Sequence, residues 1–229
     1  MQTASASIDT AYPPIATCDR ADPSVHTAPQ PPGMMSMRML AKDEEVFAEG
    51  DRAAFFYKVV SGAARTSKLL SDGRRQITAF HLPGDIFGIE SGEEHGFSAE
   101  ALGDSVIGAY RRGSFDRLSL SDSVFAQQIV TATIRALERA QDHMLLLGRK
   151  SALEKIATFL LDLSGRFPEK DNHVGLPMSR IDIADHLGLT IATVSRALTL
   201  LEREGIIEMP ACRRSIMLRN KAALRRLNA

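Results

Sequence analysis

The residues best equipped for chemistry lie near the C-terminus, in "LTIATVSRALTLLEREG", Leu189 to Gly205. Arg196 carries a planar fork of donors that matches guanine O6 and N7 in a DNA major groove. Ser195 beside it can touch a base or a phosphate. Ala192, one turn earlier on the same face, offers only a methyl group, which suits a thymine methyl. A second candidate is Cys212, followed at once by Arg213 and Arg214. Two cations next to a thiol favour its thiolate. Oxidation toward sulfinate would then set negative charge beside DNA phosphates and weaken binding.

Neither set is catalytic. The six histidines are scattered and form no HxH, and no GxSxG nucleophile motif occurs. Cys18 and Cys212 have no metal-ligand spacing. The expectation is a binding protein and not an enzyme, with no metal and no cofactor.

Positioning Ser195 and Arg196 requires two helices and a tight turn. Thr190 is a good N-cap for a helix in which Ile191, Val194, Leu198 and Leu201 recur on one face. Before it, Ser179 can cap a shorter helix with Asp182 three residues on, and Ile183, Ala184 and Leu187 face inward. Gly188 supplies the positive φ of the turn and Leu189 fills the corner. This is a helix-turn-helix, whose second helix can enter the major groove. The DNA-facing set is Arg196, Ser195, Ala192, Thr193 and Thr199, with Ser179 and Arg180 from the first helix. Ile191 belongs to the apolar stripe by spacing and is placed in the DNA-facing set as well. Downstream, "GIIEMPACRRSIMLRN" reads as strand, turn, strand. It forms a wing with Arg213 and Arg214 near the tip, suited to phosphates.

The chain has 229 residues, 28 Lys+Arg and 28 Asp+Glu, so its net charge is zero. A neutral nucleic-acid binder must segregate its charge. The crowding of Arg203, Arg213, Arg214, Arg219, Lys221, Arg225 and Arg226 at the end of the chain does so. No stretch approaches the roughly 18 apolar residues of a membrane helix. No secretory leader is visible, and cysteine usage fits a reducing cytoplasm.

The remaining text divides into three parts. Residues 1–36, ending in "PQPPGMMSM", show no periodicity and read as a disordered tail. Residues 37–120 alternate short β-type runs with glycine turns, as in a sandwich or jelly-roll barrel. Asp72-Gly73 between two such runs signals a type I′ hairpin. Residues 121–148 read as one long helix, N-capped by Ser121 or Asp122 and interrupted by Gly148. In it Val130, Ile134, Leu137, Gln141 and Met144 recur at steps of four and three, a heptad seam for a second copy. Ile129, Ala136, Ala140 and Leu147 widen the apolar face toward the barrel. Residues 149–229 begin with a Ser151/Glu154 capping box, pass through a polar loop, "EKDNHVGLP", and end in the winged helix-turn-helix. The fold class is α+β.

Barrel, long helix and winged helix-turn-helix in this order resemble the CRP/FNR family of bacterial transcription regulators. The resemblance spans residues 38 to 226 and is most specific at "LPGDIFG" and "DIADHLGLTIATVSRALTLLEREGII". The text "GDIFGIESGEEHGFSAEAL" is most similar to the FixK-type branch, which governs low-oxygen metabolism. The resemblance implies a cyclic-nucleotide-binding-like barrel. It further implies a homodimer on a palindromic operator with TTGA-like half-sites, a contact with RNA polymerase, and an activator's role. Members that bind cyclic AMP carry a Glu after the glycine of the phosphate turn and an Arg-Ser/Thr pair further on. Here Ile89 follows Gly88, and Phe97 precedes Ser98, so no cyclic nucleotide is expected. A four-cysteine iron–sulfur cluster cannot form on two cysteines. The alternative is a ligand-gated regulator of the same fold with haem or another small molecule in the barrel, where His81 and His95 lie. In the recognition helix the family has Glu-x-x-Ser-Arg. Ser195 and Arg196 match, and Ala192 replaces the Glu that accepts from cytosine N4, a change worth about 1–3 kcal/mol of discrimination there.

Overall fold

The computed structural model describes residues 34–114, 123–166, 172–210 and 215–228. Eight strands come first: β1 (Met34–Leu40), β2 (Glu45–Phe47), β3 (Phe55–Ser61), β4 (Ala64–Leu69), β5 (Arg75–His81), β6 (Ile86–Phe87), β7 (Ser98–Ala101) and β8 (Ser105–Arg111). They form two antiparallel sheets, β1-β8-β3-β6 and β2-β7-β4-β5. Val59 and Ile107 from one sheet and Ala64 and Ala99 from the other share the barrel core with Phe47, Tyr57 and Phe87. β1 begins at Met34, inside the segment expected to be a tail, because β8 offers Tyr110 as its partner there. The hairpin between β4 and β5 exists, but its turn is not type I′. Gly73 takes φ 83° while Asp72 is not among the positive-φ residues, and the Gly73 N–H donates to the Leu70 carbonyl. A longer loop with one left-handed glycine does the work of a two-residue turn.

The long helix, α1 (Ser123–Arg149), runs through Gly148 instead of stopping before it. Candidate caps Ser121 and Asp122 lie outside the described residues. Ile129 buries itself against Phe56, Ile86 and Tyr110 of the barrel. Leu146 joins the core of the C-terminal part, with Leu147 packed on it. Ala136 and Ala140, expected on the barrel side, are exposed, because α1 touches its neighbours near its ends. No described helix is long and apolar enough to cross a membrane.

Helix α2 (Ala152–Arg166) opens with the expected box: Ser151 N–H donates to Glu154 Oε2 at 2.6 Å, and Glu154 N–H to Ser151 Oγ at 3.5 Å. Then follow β9 (His173–Gly175), α3 (Arg180–Leu187), α4 (Ile191–Arg203), β10 (Ile207–Glu208), β11 (Ser215–Leu218) and α5 (Lys221–Asn228). The small sheet is ordered β10-β11-β9. β9 lies within what reads as a polar loop, since only its pairing of Val174 with Ile216 makes it a strand. Helix α5 replaces a featureless basic tail. Asn220 Oδ1 accepts from Ala223 N–H at 2.9 Å, Ala223 and Leu224 are buried, and Arg225 and Arg226 stay exposed.

The barrel and the helix-turn-helix meet through one apolar core and one polar cluster. Ile77 and Phe80 of β5 share a core with Ile183, Leu187, Val194 and Leu201. Beside it, Asp182 Oδ1 accepts from Arg65 Nη1 and Arg75 Nη2, each at 2.9 Å. Arg65 also pairs with Asp43 and Glu100, and Arg75 with Asp185. His186 stacks on His143 of α1 with ring centroids 4.1 Å apart, and its Nδ1 bonds to the Ile77 carbonyl at 3.0 Å.

This junction bears on stability in two ways. Arg65 and Asp182 are only 6% and 5% exposed, and without Asp182 the buried Arg65 keeps Asp43 and Glu100 as partners. Asp182→Ala removes the acceptor shared by Arg65 and Arg75 together with the cap of α3, and should lower stability by about 2–4 kcal/mol in urea unfolding. The second concerns pH. Burial pushes His81 down to about 4 and, aided by neighbouring His143, pushes His186 down to about 3. In the unfolded chain both titrate near 6.5, so there they take up protons that the folded protein refuses. Stability is therefore full above pH 6.5 and falls as pH drops below it, each histidine adding a slope of up to about 1.4 kcal/mol per pH unit. Unfolding midpoints measured from pH 7.5 to about 5 should show the decline, and His186→Phe should make it shallower, leaving the part that His81 contributes.

Candidate DNA-binding surface

The turn between α3 and α4 is set by local chemistry. Ser179 caps α3: its Oγ accepts from Asp182 N–H, and Asp182 Oδ2 accepts from Ser179 N–H at 2.9 Å. Gly188 closes the helix at φ 60°, ψ 43°, with its N–H donating to the Ala184 carbonyl. A Cβ at Gly188 would sit 3.5 Å from Leu147 Cδ2, so the end of α1 rests against this turn. Thr190 caps α4 by accepting from Thr193 N–H at 3.2 Å. Val194, Ala197, Leu198 and Leu201 bury the inner face.

The outer face carries Ala192, Arg196 and Thr199, all exposed, with Ser195 half-buried. Ile191 is 47% exposed and faces outward, so its place in the apolar stripe is corrected. The first residue of a helix has no preceding turn to lie over. Thr193 is engaged at the cap, its hydroxyl 2.8 Å from that of Thr190. Ser179 is likewise taken up by its capping box. Arg196 makes no ion pair with any described residue.

Arg180 is where sequence reasoning was incomplete. Its Nη1 donates to Ser195 Oγ at 3.0 Å, and its Nη2 lies 3.6 Å from Met209 Sδ, after β10. The contact joins the first helix, the second helix and the wing. No sequence signal pairs residues 180, 195 and 209, because the turn and the wing bring them together. Arg213, Arg214 and Cys212 lie outside the described residues. Arg219, counted among the phosphate-gripping cations, is bound to Glu208.

The turn of the barrel lacks the groups that a cyclic nucleotide needs, among the described residues. Ile89 and Phe97 are exposed apolar residues where an acceptor for ribose and a cation for phosphate would be needed, and Lys68 lies over the Phe97 ring. Glu90 adds negative charge, with Oε1 3.6 Å from His95 Nδ1. The loop is held by the chain's own Arg112, whose guanidinium donates to the carbonyls of Ala53, Glu90 and Gly92. These residues do not fit a cyclic phosphate. Both barrel histidines are buried, His81 at 8% and His95 at 2% exposed. His81 bonds to Thr66 Oγ1 at 3.1 Å and stacks on Phe87, and His95 stacks on Phe47 with ring centroids 3.7 Å apart.

Comparison with known proteins agrees with this layout. Residues 37–122 match the model of the cyclic nucleotide-binding domain, and residues 154–227 that of the Crp-like helix-turn-helix domain. The nitrogen fixation regulation protein FixK of Azorhizobium caulinodans is 45% identical over 91% of this chain and 86% of its own length. FixK of Rhizobium meliloti is 40% identical over 88% of this chain and 92% of its own. The solved structure of FixK2 from Bradyrhizobium japonicum superposes with a TM-score of 0.78 at 47% identity, covering 85% of this chain and 97% of that one.

Proposed function

We propose, on the premise that this chain belongs to the CRP/FNR family of transcription regulators and is most like its FixK members, that it works as a homodimeric activator on a palindromic operator. Sequence-specific DNA binding and transcription regulation are the family's function. The dimer, the operator and the polymerase contact are the proposal.

The observation that carries it is the pair of unpartnered faces on α1 and α4. On α1, Val130, Ile134, Leu137 and Met144 are 53–67% exposed and fall, with Gln141, on one heptad seam. Four large apolar side chains in that spacing call for a second copy of the same helix. A two-fold axis along the seam puts two α4 helices about 34 Å apart, in successive major grooves. On α4, Arg196 takes guanine O6 and N7 in each half-site, and Ile191 and Ala192 meet thymine methyls. Arg213, Arg214, Arg225 and Arg226 serve the phosphates, so affinity falls steeply with salt. Half-sites are TTGA-like, with altered preference at the base pair facing Ala192. Relatives named as transcriptional activators support the activator role. A contact with RNA polymerase in the cytoplasm and targets in low-oxygen metabolism complete the reading.

Arg196→Ala should cost about 2–6 kcal/mol of specific binding over two half-sites, with the dimer intact. Selection of bound duplexes from a random pool reads this out. A variant that still selects the wild-type site would overturn the role of Arg196. Leu137→Glu should give a folded monomer in sedimentation at micromolar concentration, with operator affinity lost. A stable dimer would refute the seam.

A further inference from the structure

Resting on the reading of α4 as the base-contacting helix, the geometry points to a division of labour within it. We infer that Arg180 is a positioning residue that decides what Ser195 reads. Through Ser195 it restricts one base pair of each half-site to an acceptor atom facing the protein.

The argument begins with the hydroxyl. A serine Oγ has one proton to donate and two lone pairs to accept with, so a free serine in a groove is indifferent to donors and acceptors. Here one lone pair is already taken by Arg180 Nη1 at 3.0 Å. A guanidinium has no acceptor, so the Ser195 proton cannot point toward Arg180 and must turn away from it. The adjacent positive charge also disfavours an amino group, itself positively polarised, approaching the same oxygen. Both effects leave Ser195 as a donor. It then addresses thymine O4, guanine O6 or N7, or adenine N7, and rejects cytosine N4 at that place.

Two observations explain why Arg180 is free for this task. No described carboxylate lies within ion-pair distance of it, and Met209 Sδ at 3.6 Å holds the other arm of the fork without neutralising it. The residue one turn before Ser195 on the same face is Ala192, which has no side-chain acceptor. A glutamate there would compete for the guanidinium. With Ala192 in that place, the Arg180–Ser195 bond meets no competing side-chain acceptor from that turn.

The test uses the full-length protein and the operator that the wild type selects from random duplexes. Affinities are measured for operators in which each half-site base pair is replaced in turn. Arg180→Met keeps the aliphatic stem and removes the donors. It should flatten the preference at one base pair from about tenfold to under about twofold, leaving preferences elsewhere unchanged. Ser195→Ala should flatten the same base pair, and the double variant should add nothing there. Arg180→Lys, whose unforked head cannot hold both Ser195 and Met209, repeats the test should the Met variant fail to fold, and should relax the same base pair. Uniform weakening across all operators would make Arg180 a phosphate contact and overturn the inference. So would flattening at different base pairs in the Arg180 and Ser195 variants. If Ser195→Ala and Arg196→Ala both leave the selected operator unaltered, the reading of α4 itself falls. If those two alter it and Arg180→Met does not, only the present inference falls.

Discussion

One carboxylate ties the reading face to the rest of the molecule. Asp182 Oδ2 accepts from the Ser179 N–H and hydroxyl at 2.9 and 2.7 Å and so starts α3. Its Oδ1 takes Arg65 and Arg75 from the barrel strands. A side chain that only capped a helix would tolerate exposure to water. One that only bridged two domains would leave the helix start to other groups. Doing both, Asp182 fixes where α3 begins and where it sits. Buried charges are costly unless every partner is in place, so the cluster exists in one geometry or not at all. The apolar core that Ile77 and Phe80 share with Ile183 and Leu187 supplies area, and the ion cluster supplies the angle.

That division explains which features were legible in the sequence. The helix-turn-helix was, because its determinants are local: Ser179, Gly188 and Thr190 are caps and a turn, and their chemistry acts within three or four residues. The seam on α1 was legible for the same reason, as a period. The junction was not, because Arg65 and Asp182 are 117 residues apart and nothing in either neighbourhood names the other. β9 escaped notice because "HVG" is too short to show an alternation and becomes a strand only against β11. Ile191 shows the limit of periodicity itself. Spacing assigns it to the core, while its position at the first residue of α4 turns it outward.

The barrel holds the turn after β6 with a side chain of its own. In a ligand-gated relative, the turn after β6 would close on a phosphate. Here Arg112 closes it on three carbonyl groups of the protein. The loop's carbonyl groups at Ala53, Glu90 and Gly92 are thus satisfied by the chain itself. Combined with the ion cluster at β4 and β5, this makes the barrel a frame that presents α3 and α4 in a set pose.

A set pose matters because a palindrome is read by distance as well as by base. The exposed heptad stripe of α1 and the outer face of α4 are joined by a short path. Leu146 lies in the core beneath α4, Leu147 rests on the Gly188 turn, and His143 stacks on His186 at the end of α3. Each step is a packed contact with little slack, since interiors are close to crystal density. In the proposed dimer the separation of two recognition helices follows from the register of the seam, and base preference from Ser195 and Arg196 within that separation. A residue such as Ala192 can therefore change which base is preferred without changing the spacing of the half-sites, because the groups that set the spacing lie on the other side of α4.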